Sequence, residues 1–199
     1  MKLNAIIMIM NTFFAPNQGS DQVMAKVITP IKQISAETSI NDADFKAEKQ
    51  AIDTAASFLR ELDFLNLIDE ANKAIYSFYE DIDSFKEFLA SFQQEHKVDF
   101  AEFVVRADGM TRSIMDDMDV KISGFESHVL KRGPDIEALA NAQLLRKSLI
   151  KGGRFFSELT NLVNQTGLTH VDITGSFLSD EDVAALAKDS AAHFEAMMS

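Results

Sequence analysis

Two acidic clusters are the groups in this sequence most capable of chemistry. Glu80, Asp81, Asp83 and Glu87 fall within about two helical turns, and Asp116, Asp117 and Asp119 within about one. Facing carboxylates at one level of a helical hairpin could hold divalent cations, as helical phosphohydrolases do. The heptad register argues against that use. With Ile75, Ile82 and Leu89 at position a, Glu80 and Glu87 fall at f and Asp83 at b. With Val104, Thr111 and Met118 at a, Asp116 falls at f and Asp119 at b. Both clusters then point away from the seam, as a solvated face does.

The four histidines give no ligand set either. Asp189 and His193 share a face at i, i+4, which suits an exposed pair on a helix. Glu126 and His128 are two apart and cannot face one point, His96 sits at a helix end, and His170 lies beside Asp172 in an extended stretch. A metal site needs three or four convergent groups. The chain carries no paired-histidine zinc motif, nucleophile elbow, phosphate-binding glycine loop or dinucleotide fingerprint. Gly152-Gly153 followed by Arg154 could touch a phosphate, but two such glycines between helical stretches usually mark a bend or close packing. No cofactor is expected.

Charge is more informative. Residues 41–100 carry 14 acids and 6 bases, a net of -8, whereas residues 131–160 carry 6 bases and 3 acids, a net of +3. Lys147, Lys151 and Arg154 share one face of a helix. That face either packs beside the acidic helices of its own molecule or meets an acidic helix of a partner or a second copy. The candidate partner-binding residues are therefore Glu80, Asp83, Glu87, Asp116, Asp119, Lys147, Lys151 and Arg154.

Composition bounds the elements that position these groups. The chain has 199 residues and is 46% hydrophobic and 25% charged, values that suit one folded domain. Sixteen Phe against two Tyr and no Trp point to packing rather than to a wet cleft. Without cysteine there can be no disulfide, thiolate metal site or cysteine nucleophile. A formal net charge of -12 works against binding nucleic acid or anionic membranes. No apolar run reaches the roughly 20 residues needed to span a bilayer. The apolar start is a poor signal peptide, because Asn11 and Thr12 interrupt it and Ala15 precedes Pro16. A cytoplasmic setting is favoured over secretion.

The periodicity predicts an all-α, elongated bundle of long, coiled-coil-like helices in a single domain. Within it, 1–38 holds short apolar helices, 39–132 a long-helix hairpin region, and 133–199 the C-terminal helices. Leu3, Ile6, Ile7, Met10, Phe13 and Phe14 form one stripe, which predicts a docked N-terminal helix. Pro30 breaks or restarts a helix over 20–36.

Ser39 or Asn41 caps the next segment, whose seam runs through 52, 55, 59 and 62. Ala71, Ile75, Phe78, Ile82, Phe85, Leu89 and Phe92 form a second seam, out of phase with the first. A turn across 63–69, or a phase shift inside one very long helix, must lie between them; the turn is favoured. One helix is predicted over 100–131 through Gly109 and Gly124, and another from Asp135 to about Asn164, bent at Gly152-Gly153. Residues 168–174 read as an extended connector and 179–198 as a last helix.

These features suggest a non-catalytic protein-binding chain of the adaptor, scaffold or inhibitor type, with another protein or a second copy as partner. A membrane-active helical protein, such as a pore-forming or translocator component, is one alternative. A helical enzyme or small-molecule binder is the other.

Overall fold

The computed structural model describes residues 6, 8–9, 24–37, 39–96 and 100–167, with the backbone alone at 24–25, 95–96, 100–103 and 105–114. A π-helical turn at Met24–Ile28 runs directly into α1 (Thr29–Lys32), with Pro30 close to the junction. Then come α2 (Asp42–Glu61), α3 (Phe64–Glu80), α4 (Ile82–His96), α5 (Phe100–Arg132) and α6 (Ile136–Gln165). The architecture is the expected all-α bundle.

The caps follow the sequence. Asn41 accepts the N–H of Asp44 at 2.9 Å and opens α2, and Asp135 accepts that of Ala138 at 3.0 Å and opens α6. Gly133 takes φ 116° in the tight α5–α6 turn, a conformation that favours glycine, so the chain reverses there. The two longest helices consequently lie antiparallel and share the most extensive contact among the described elements. Neither Gly109 nor Gly124 interrupts α5, and α6 continues as helix through Gly152 and Gly153.

The region between residues 61 and 82 differs from the sequence reading in two ways. First, α2 ends at Glu61 and Asp63 adopts a left-handed φ of 48°, so there is a break, but the chain does not reverse. Contacts with α6 rise in step along both helices. Lys49 meets Asp135 at 3.2 Å, Asn141 donates to Asp53 at 2.8 Å, Lys151 meets Asp69 at 2.5 Å, and Tyr79 donates to the Glu158 carbonyl at 3.1 Å. Helices α2 and α3 thus form one kinked rod parallel to α6. Second, the seam through 71–92 is divided at Asp81, whose φ of -142° ends α3. Its carboxylate then takes the N–H of Ser84 at 3.1 Å and the hydroxyl at 2.7 Å, capping α4. Those two bonds, the hydroxyl first, hold the Asp81 carboxyl below the usual carboxylate range. The heptad run does not form one continuous coil.

The buried apolar side chains form one connected core. Phe85, Leu89 and Phe92 are buried in it, as are Val104 and Met118, whereas Phe78 and Ile82, expected to be buried with them, are only half-buried against it. Phe78 lies 5.1 Å from Phe85 and 5.8 Å from Phe88, ring centre to ring centre. Ile114 falls outside the described side chains. Near the start, Ile6 is buried as expected and Ile9 joins it, a position the stripe left out. The rest of that stripe, the 168–174 connector and the 179–198 helix lie outside the described residues.

Candidate functional site

Glu80, Asp83, Glu87, Asp116 and Asp119 are all exposed, as their b and f positions require. Asp83 is held by Lys86 of its own helix at 3.1 Å. Asp119 accepts from Arg146 of α6 at 2.8 Å, and the same guanidinium bonds both oxygens of Glu126 at 2.8 and 2.9 Å. The fork to Glu126, outweighing partial burial, raises the pKa of Arg146 further and keeps it charged. Among the described residues, no three His, Asp or Glu side chains come close enough together to hold a metal ion.

The basic stripe of α6 divides. Lys151 turns inward to α3 and holds both oxygens of Asp69, at 2.5 and 2.7 Å. This is the intramolecular use of the basic face. Lys147 and Arg154 stay exposed. Among the described residues no carboxylate lies within ion-pair distance of either.

Arg154 lies on a groove between α3 and α6 with a volume of about 660 Å³. On the α3 side stand Asp69, Asn72, Lys73 and Tyr76, spaced i, i+3, i+4 and i+7, so two turns of one face line it. On the α6 side stand Lys151, Arg154 and Glu158. Its two carboxylates are already occupied. Asp69 serves Lys151, and Glu158 accepts the Tyr79 hydroxyl at 3.0 Å. Burial and that bond to a carboxylate push the Tyr79 phenol up to about 12. Lys73 and Tyr76 point outward, the ring 60% exposed. Sequence spacing put Lys151 and Arg154 on one face of α6 but did not single out Glu158. It missed the α3 half, because the register of α3 depends on the break at Asp63.

Sequence reasoning also missed a clamp. The connector between α1 and α2 lies against α5, and three cationic or imidazole side chains of α5 read its carbonyls. Lys121 donates to Ile34 O at 2.6 Å, His128 Nε2 to Glu37 O at 2.7 Å, and Arg132 to Ile40 O at 2.6 Å. Lys121, His128 and Arg132 share one stripe of α5, and the carbonyls fall every third residue of the connector. Glu48 of α2 closes the clamp, receiving the Ser35 N–H at 2.9 Å and facing His128 Nδ1 at 3.0 Å. Both Glu48 and His128 are buried, so this histidine works structurally. Gly124 belongs to the same contact: a Cβ there would stand 3.3 Å from Ser35 O. His96, His170 and His193 lie outside the described side chains.

No helix among the described residues is long and apolar enough to cross a membrane. No family model matches the chain, and neither a curated protein nor a solved structure matches it.

Proposed function

We propose that this chain is a non-catalytic helical protein-binding module, of the adaptor, scaffold or inhibitor kind, which docks its partner on the α3–α6 groove. One observation carries the reading: among the described residues no carboxylate lies within ion-pair distance of Arg154 or Lys73, which stand beside a largely exposed Tyr76 at a groove whose own carboxylates already serve Lys151 and Tyr79. Tyrosine and arginine are the residue types on which interface energy concentrates. Among the buried polar groups, several have structural duties. Glu48 and His128 hold the connector, and Asn141 ties Asp53 and Arg60 of α2 to α6.

The test is affinity capture from the native source with the intact chain, run beside a Tyr76→Ala/Arg154→Glu variant of equal melting temperature. A partner held in fixed stoichiometry by the parent and lost from the variant supports the proposal. The same proteins on both, or no protein on either, overturns it.

A further inference from the structure

We infer that the α3–α6 groove receives an acidic peptide segment, with carboxylates on Arg154 and Lys73 and an adjacent apolar side chain over Tyr76. This rests on the docking reading above and names the chemistry of the partner. The first argument is local charge. In a chain with a net charge of -12, this groove gathers three cations, Lys73, Lys151 and Arg154, against two carboxylates, Asp69 and Glu158. The Debye length is about 8 Å at physiological salt, so the charges that bear on the groove are its own and those of the adjoining turns, not the remaining acids of the chain.

The second argument is that the groove cannot neutralise itself. Asp69 has both oxygens on Lys151, and Glu158, one turn beyond Arg154, is turned to Tyr79. A basic segment would therefore find Asp69 taken and Glu158 already sharing one oxygen with Tyr79, and would face Arg154 and Lys73 at close range. An acidic segment finds a guanidinium fork, which suits carboxylates bidentately, and an ammonium on the opposite wall. Lys147, one turn before Lys151 on the same stripe and exposed, extends the cationic edge.

The third argument is shape. Two helical turns give a groove floor about 11 Å long, enough for roughly three extended residues at ~3.3 Å each. Asn72 can donate to and accept from a peptide group there, and the Tyr76 ring offers a flat apolar surface next to the cations. A free inorganic anion would use the charges and leave the ring and amide idle.

The experiment uses the full chain and a short dye-labelled peptide of Asp and Glu around one Phe, followed by fluorescence anisotropy. An Asn/Gln isostere and a Lys analogue serve as controls, and inorganic phosphate as competitor. The acidic peptide should bind and the isostere and Lys analogue should not. Lys73→Glu/Arg154→Glu should weaken binding about tenfold or more, and so should raising salt from about 0.05 M to about 0.5 M. Tyr76→Ala should weaken it at unchanged salt dependence. All three positions are surface ones, and melting temperatures confirm that the variants fold.

Displacement by phosphate at equal concentration would make the groove a small-anion site and overturn the peptide assignment. No binding of the acidic peptide, tighter binding of the Lys peptide, or indifference to the charge reversal would overturn the acidic chemistry. Groove-dependent capture of a partner in the previous experiment would survive that failure, so the two ideas fall separately.

Discussion

Removing the Glu48 carboxylate should be among the costliest single changes on this chain. Glu48 accepts from the Ser35 N–H at 2.9 Å and from the His128 side at 3.0 Å, and His128 in turn donates from Nε2 to Glu37 O. A carbonyl only accepts, so Nε2 carries a proton, and the Nδ1···Oε2 contact holds one more. Glu48→Ala leaves two buried groups without a partner, each worth about 1–3 kcal/mol. Together the two losses come to about 3–5 kcal/mol. At about 2–4 °C per kcal/mol for a chain of this size, the melting temperature should fall by roughly 6–20 °C. Glu48→Gln keeps an acceptor for Ser35 and sets an amide N–H opposite Nδ1, so it should cost only about 1–2 kcal/mol. In Glu48→Leu/His128→Leu both partners leave together, and the connector's freed groups can turn to water. That double variant should lose less than the two single ones combined, with a coupling of about 1–3 kcal/mol. Urea unfolding followed by circular dichroism gives the energies, and limited proteolysis reports whether residues 33–41 have lifted from α5. A Glu48→Ala cost within about 0.5 kcal/mol, or a strictly additive double variant, would refute the clamp.

Phe85→Ala should cost about 3–5 kcal/mol, since Phe85 is fully buried among Phe78 and Phe88; urea unfolding checks it, and an unchanged midpoint would remove α4 from the core. Tyr79 is raised in the folded state, chiefly by burial and then by Glu158, so its contribution is complete below about pH 10 and drains as pH rises through about 12. Discounted for partial exposure, roughly 1–2 kcal/mol should separate the parent from Tyr79→Phe in urea midpoints across that window, and parallel curves would contradict it. Calorimetry with magnesium or manganese should give no heat of binding at Glu80, Asp83, Asp116 or Asp119; a saturable heat abolished by Asp116→Asn would restore the metal reading.

The long helices were legible because burial imposes the 3.6-residue period on apolar side chains, and their ends because caps and stops use few residue types. Asn41, Asp135, Gly133 and Gly167 all do what their chemistry implies. The division at Asp81 was hidden for the opposite reason. Phe78, Ile82 and Phe85 keep perfect spacing across it, and the only sign was an Asp three residues before Ser84, the cap spacing. The clamp had no readable pattern at all. Lys121, His128 and Arg132 bind backbone carbonyls, which every residue carries, so nothing in residues 34–40 announces the contact.

The groove was half legible, and Asp63 explains which half. Continued through an unbroken helix, the inward stripe of α2 at 52, 55, 59 and 62 would pass through 66, 69, 73 and 76. In the structure the inward residues of α3 are Phe64, Ile68, Ala71 and Ile75 instead. The left-handed residue at 63 turns the helix about its axis without reversing it, since Lys49, Asp53, Asp69 and Tyr79 meet α6 in rising order. Asp69, Lys73 and Tyr76 would otherwise bring two charges and a phenol into the core, a far larger cost than one residue in the left-handed region. The mismatch between the two seams therefore encodes more than a helix boundary. It places the face of α3 that carries Lys73 and Tyr76 at the surface beside Arg154, where the groove opens.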